Sequence, residues 1–542
     1  MTPTATRRQR PGAGTLAGTG RLLRFLVRLD RVRLALWIAG IALLVWVSAV
    51  SVADLYPTQA DLDKAAAALL DNAAVVALNG PTYGVDTLGG QIVFQIGSFG
   101  YITMALMGMF LVGRHTRGDE EEGRTELVRA SVVGRNAPTT AALVAAGGGL
   151  VVVGALITLI MLSESLPLAG SLAYGAAMTA FGLLFACAMA VAAQVTEHTR
   201  TAYGLIGAAL GVSYMVRAVG DIGSGAVSWL SPMGWAMNVR AFAGERWWPL
   251  PLLAGAAAAL VAVTYWLAAH RDLGAGLVAP RPGLPRAAPG LLRPSGLAVR
   301  LQRAALAGWL AGLALSGVAY GAVAQNVGDL VGDNSSFEKL IAQGATGGLT
   351  DAYLATSTLM LALGAGGFVI ASVLRLRGEE SSGRAELLLA TALSRPRWAL
   401  SHLGIAVVGS AVIMAATGIG TGLAYGLSIS DLSQVPRLAG AALAFTPALW
   451  VLAGVTLALW GLAPRAALAA WGALAVCAVI GLFADLLDLP GWVQDLSPFQ
   501  HVPAMPVDGF SLLPMLALTA VAGALVAVGI AGFRHRDTGA GV

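Results

Sequence analysis

Charged residues make up only 12% of this 542-residue chain, so the places where they cluster stand out. The densest cluster is Gly118-Asp119-Glu120-Glu121-Glu122-Gly123-Arg124-Thr125-Glu126-Leu127. A second, Gly378-Glu379-Glu380-Ser381-Ser382-Gly383-Arg384-Ala385-Glu386-Leu387, repeats it 260 residues later. Acids at the start of a helix complement its dipole. Glu120 with Arg124, and Glu380 with Arg384, stand four apart with Glu first, the better order for a helical ion pair. Leu127 with Val128, and Leu387 with Leu388, then supply an apolar patch. Recognition is the chemistry this predicts: a docking segment built on Asp119, Glu120, Glu121, Gly123, Arg124 and Glu126, and again on Glu379, Glu380, Gly383, Arg384 and Glu386. Gly123 and Gly383 are poor helix formers, which would confine docking to the second part of each string.

Residues suited to catalysis are sparse. Neither lysine, Lys64 or Lys339, lies in the glycine-rich setting of a phosphate-binding loop, so no ATP site of that kind is present. The six histidines are scattered, with no H-E-x-x-H pair to hold zinc. Cys187 and Cys477 sit in apolar runs, which supports neither a disulfide framework nor a metal site. The best acid pair, Asp61 and Asp63, shares an amphipathic stretch with Lys64 and reads as a solvated face. No catalytic residue, metal ligand or cofactor site is expected.

The elements that hold the docking strings are apolar. The chain is 57% hydrophobic, against about half in soluble domains, and its charge is about half the usual quarter. This excludes a disordered chain and a set of ordinary soluble domains. An all-α polytopic membrane protein remains. Twelve runs approach the roughly 20 residues that span hydrocarbon: 34–53, 91–113, 139–162, 171–194, 201–219 and 249–269, then 304–324, 351–374, 398–427, 438–461, 466–484 and 511–533. Every basic residue except Lys64, Arg217, Arg240, Arg246, Lys339 and Arg437 falls on the side of the N-terminus. The positive-inside rule then makes both termini cytoplasmic and explains the net charge of +5 without nucleic acid. Residues 1–33 form a cytoplasmic tail, disordered to Gly20. From Arg21 to Arg33, arginines on one arc and Leu22, Phe25, Leu26 and Leu29 on another predict an interfacial amphipathic helix.

The chain is an internal duplication. The 260-residue spacing persists from the acidic strings to Arg135 and Arg395. The halves also end alike, His270-Arg271-Asp272 and His535-Arg536-Asp537, and open alike around Trp37 and Trp309. Two six-span halves follow, 34–272 and 304–542, joined by a cytoplasmic linker over 273–303 rich in Pro and Arg.

The string G-[DE]-E-x-x-G-R-x-E-L after the second span resembles permeases of the ABC-2 type. The similar branch is the long, duplicated actinobacterial one of polyketide-antibiotic (tetronasin-like) and multidrug exporters. The resemblance runs from about Arg21 to Val542. It implies an export permease in the bacterial cell membrane, whose two halves make one transmembrane unit for a hydrophobic small molecule. ATP and Mg would be bound by a separate ATPase subunit, in two copies, docked on the acidic strings and the amphipathic helix. In the second string Ser381 and Ser382 replace Glu121 and Glu122, so the two docking sites are not identical. The resemblance also places the second and fifth spans of each half along the path. There the sequence offers Gln95, Phe99, Tyr101 and Met104; Tyr203, Tyr214 and Arg217; and Tyr353, Thr356 and Met360. Aromatic and Met side chains suit large apolar ligands, and each equally suits helix packing. Arg217, near a span end, either snorkels to the interface, pairs with Asp221 or meets an anionic substrate. Two other functions fit less well. A proton-coupled 6+6 transporter would need acids near the middle of a span, and the sequence has none there. An enzyme acting on lipid-linked substrates would have only Asp61 and Asp63.

Overall fold

The computed structural model describes residues 14–70, 73–223, 225–271, 274, 276–277, 286–324, 348–484 and 489–537. Most of the expected tail up to Gly20, most of the outer loop over 325–350, and the linker stretch 278–285 lie outside the described residues. The described chain is helical, with no strand among the described residues. It divides into two units, Met1–Pro282 and Gly283–Val542.

The first unit opens with α1 (Thr19–Leu29), whose apolar face buries Leu26 against Ala141 and Ala142. At Asp30 the backbone leaves helical geometry and α2 (Arg31–Leu55) begins, the first long apolar helix. Two short helices follow, α3 (Gln59–Leu70) and α4 (Ala73–Asn79). Next comes α5 (Leu88–Gly113), which passes through a wide π-turn at Arg114–Gly118 into α6 (Asp119–Glu121) and α7 (Arg124–Arg129). The unit closes with α8 (Ala137–Ser163), α9 (Leu168–Val195), α10 (Thr199–Ile222), the short α11 (Pro232–Met237) and α12 (Pro249–Ala269).

The second unit repeats the order. It comprises α13 (Pro294–Val323), α14 (Leu349–Ser381), α15 (Arg384–Leu389), α16 (Arg395–Ser428), α17 (Gln434–Ala444), α18 (Thr446–Leu462), α19 (Ala469–Phe483), α20 (Gly491–Gln494) and α21 (Leu512–His535). Its opening differs: α13 runs unbroken where the first unit bends at Asp30.

Eleven helices among the described residues are long and apolar enough to cross a membrane, against twelve runs in the sequence. The remaining run is α19. A 3-10 turn at Pro464–Ala466 delays its start. At 1.5 Å per residue it rises only about 22 Å, short of the roughly 30 Å of hydrocarbon. The fourth run of the second unit is also interrupted: α17 gives way to α18 at Phe445, where Pro447 has no N–H to bond back into the preceding turn.

Each unit has its own core. In the first, Tyr101, Met104 and Met107 of α5 pack with Leu150 of α8 and with Tyr174 and Phe181 of α9. Without a hydrophobic drive between helices in lipid, contact depends on small residues that let backbones meet. Gly154 and Gly175 do this between α8 and α9: a Cβ on Gly175 would lie 2.5 Å from the Gly154 carbonyl oxygen. Gly461 and Gly529 do the same between α18 and α21, at 2.0 Å.

Candidate functional site

The acidic strings fold at the arginine-rich ends of α5 and α14, and they do not form the expected helical ion pairs. Gly123 and Gly383 adopt φ of +74° and +71°, left-handed conformations that stop one helix and start another. Arg124 is thereby turned from Glu120 to Asp119, 2.8 Å away, and to Glu122. The Asp119 carboxylate holds the Arg124 guanidinium above its ordinary range. Arg384 likewise meets Glu379 at 2.9 Å and not Glu380.

Glu120 and Glu380 face inward, which corrects their expected display to a partner. The Glu120 side chain is 7% exposed and the Glu380 side chain 1%. Glu120 accepts both terminal nitrogens of Arg271, at 2.9 and 2.7 Å, and the backbone N–H of Gly274 at 2.8 Å. Glu380 accepts both terminal nitrogens of Arg536, at 2.6 and 2.8 Å, and the indole N–H of Trp460 at 3.0 Å. Glu121 is also engaged: it accepts the backbone N–H and the hydroxyl of Thr199 at 3.0 and 2.6 Å, capping the start of α10. Ser381, in its place in the second unit, donates to the carbonyl of Gly378 instead.

The remainder of each string is displayed. Glu126 and Glu386 are exposed, and Leu127 and Leu387 are 77% and 76% exposed on the short helices α7 and α15.

The sequence marks Arg271 and Arg536 only as matching half-ends. That they meet the acidic strings appears only in the structure. Arg135 and Arg395 join the corresponding corner, each within its own unit. Arg135 donates to the carbonyls of Ala268 and Arg271. Arg395 donates to those of Phe533, Arg534 and Arg536, at 3.3, 3.3 and 2.7 Å. The structure adds a further buried group: Asp30, at the α1–α2 bend, faces one ring nitrogen of His115, whose other nitrogen lies 3.3 Å from Asp119. The signal for that group was weak, a lone Asp and a lone His 85 positions apart.

The expected path residues divide. Gln95 and Phe99 lie exposed on α5. Tyr101 and Met104, by contrast, are buried in the core, Tyr101 with its ring edge-on to Phe181 at 5.6 Å. Both are packing residues of the first unit. Tyr203 is half-buried with its ring 5.3 Å from that of Phe110. Tyr353 is half-buried and donates to the Tyr320 carbonyl at 3.4 Å, Thr356 bonds back to Ala352 at 3.0 Å, and Met360 is exposed.

Arg217 does not snorkel. Its side chain is fully buried, 3.3 Å from Asp221, and donates to the carbonyls of Val76 and Ala77 at 3.1 and 2.9 Å and to the Ser98 hydroxyl at 2.7 Å. It caps the C-terminal end of α4, with Tyr214 stacked against it at 4.8 Å. Nearby, Asn79, Tyr83, Gly97 and Arg240 border a cavity of about 30 Å³, room for a water and not for a drug. A larger groove of about 380 Å³ runs between α2 and α5 along Arg33, Trp37, Gly40, Leu44 and Thr103. Asp61 and Asp63 serve as local caps: Asp61 bonds the Thr58 hydroxyl and Asp63 accepts from Gln59 at 2.8 Å.

The arrangement is a helical membrane-type fold in which each unit ties an acidic string to the end of its last long helix. Among the described residues no group of His, Cys, Asp and Glu is placed to hold a metal. Comparison with known proteins supplies the family. Residues 291–534 match the family described as multidrug efflux system permease Rv1217c, C-terminal domain. The whole chain is similar to the multidrug efflux system permease protein Rv1217c of Mycobacterium tuberculosis, 41% identical over 538 residues, which cover 99% of this chain and 98% of that protein. With that identity sustained from end to end on a helical membrane fold, the chain belongs to the Rv1217c family of multidrug efflux permeases.

Proposed function

We propose that this permease is the transmembrane subunit of an ATP-driven exporter of hydrophobic drugs or antibiotics, of the ABC-2 type and akin to the tetronasin-like branch. A separate ATPase subunit, in two copies, binds the ATP and Mg and docks in the cytoplasm, where both termini lie. One observation carries the reading. Each unit presents an exposed leucine beside an exposed glutamate, Leu127 with Glu126 and Leu387 with Glu386, on a short helix whose first residue is tied back by an ion pair, Arg124 to Asp119 and Arg384 to Glu379. An apolar anchor held in place before binding loses little entropy when a partner covers it. Leu387 with Glu386 forms the second, less acidic dock. The groove along Trp37 has the volume of a drug site, and the proposal places cargo there.

The test is co-purification with the ATPase subunit, and drug-stimulated ATP hydrolysis, in Leu127→Asp and Leu387→Asp. Both side chains are solvated, so thermal stability should hold while partner retention falls about tenfold or more, the loss typical of an interface anchor. Normal partner binding in the double variant, or transport by the purified chain from a proton gradient alone, would overturn the proposal.

A further inference from the structure

We infer that the Glu120–Arg271 and Glu380–Arg536 pairs join each docking segment to the last span of its own unit as one mechanical body, so that a push on the dock reaches α12 and α21. This rests on the proposed docking of an ATPase, and adds where the push goes.

The joint is over-determined. Arg271 meets Glu120 through both terminal nitrogens, a fork that fixes orientation as well as distance. Its remaining nitrogen, Nε, donates to Gln194 at 2.6 Å, at the end of α9, the helix on which α12 packs. Arg117 reaches the Gly274 carbonyl at 2.9 Å, just past the end of α12, and Arg135 caps carbonyls of the last turn. In the second unit Arg536 makes the same fork to Glu380. It is flanked by the rings of Trp460 and Phe533 at 5.0 and 5.1 Å, and Arg395 caps three carbonyls at the end of α21. The surroundings differ, Gln194 in one unit and Trp460 in the other, yet the fork and the carbonyl cap recur. Both units thus tie the acidic string to the last span at matching positions. The short helices α7 and α15 follow left-handed glycine turns, and Arg124 to Asp119 at 2.8 Å and Arg384 to Glu379 at 2.9 Å bridge those turns, so that a push on Leu127 or Leu387 reaches the segments that the forks tie to α12 and α21.

The experiment uses the full chain with its ATPase subunit in proteoliposomes, comparing wild type with Glu120→Gln, Arg271→Gln and the double variant. Partner co-purification and basal hydrolysis should stay near wild type, while drug moved per ATP falls about tenfold. The double variant should be no worse than either single, as expected when two residues form one unit. A folded double variant with unchanged drug moved per ATP overturns the inference, and so does loss of partner binding, which would make Glu120 a docking residue. A second measurement needs no disrupted pair. Spin labels at Ala130→Cys and Ala269→Cys should keep their separation within about 2 Å when ATP is trapped, and a change of about a helical turn overturns the single body. If the wild-type chain binds no ATPase at all, the docking proposal fails, and the label separation in the chain alone still decides the joint: a spread of about a helical turn overturns the single body.

Discussion

Arg217 shows how one side chain can organise one end of a unit. Its guanidinium is fully buried and ties α10 to the last carbonyls of α4 and to Ser98 on α5. Removing it strands Asp221 and uncaps α4. Arg217→Ala should cost about 3–5 kcal/mol, the scale for breaking one side of a buried pair. Arg217→Lys should lose less, because it keeps the charge but not the fork that reaches several acceptors at once. Thermal unfolding of the purified variants in detergent checks both. The sequence shows this arginine near a span end but cannot show its partners, because most of them are backbone oxygens and carry no residue signature. The same blindness applied to Arg135 and Arg395, which were visible as a repeat but not as caps. Glu120 was misjudged for a related reason: helical spacing assigned it to Arg124, and the left-handed Gly123 redirected that arginine to Asp119.

At the scale of elements, the apolar runs were easily read, since continuous hydrophobicity needs no knowledge of neighbours. Interruptions within them were harder. The bend at Asp30, the π-turn after Gly113 and the break at Phe445 each depend on local backbone geometry. The clearest case is α5, kinked at Gly97 with φ +45° and ψ −138°. There the backbone of Asn79 presses on the helix, and a Cβ on Gly97 would lie 2.5 Å from its carbonyl oxygen. Gly97→Ala should lower the unfolding midpoint, with about 1–3 kcal/mol lost to backbone strain before the clash is counted. A midpoint equal to wild type would show that α5 straightens without penalty.

At the scale of the whole molecule, the arginine distribution predicts which side each loop faces. Single cysteines at Ala130 and Ala390, both exposed, should be labelled only from the cytoplasm, and one at Ala60 only from outside. Cys187 and Cys477 are buried, so the native background should be low. Labelling of Ala130→Cys in intact cells by an impermeant reagent would reverse the proposed orientation. The duplication was legible because matched strings survive in order. What they do in space was not, since a repeat marks equivalent positions without saying which of them touch.

The Glu120–Arg271 fork closes before Pro282, and the Glu380–Arg536 fork closes after Gly283. A break in the intervening linker therefore severs neither. Fragments 1–282 and 283–542, made from two genes in one cell, should each keep their own joint and together restore drug resistance. A null result with both fragments stably inserted would mean that the linker does more than connect. If they do complement, the value of one gene lies in stoichiometry. Two separate genes would let like pair with like, whereas a single reading frame delivers one bent-start half and one straight-start half to every complex.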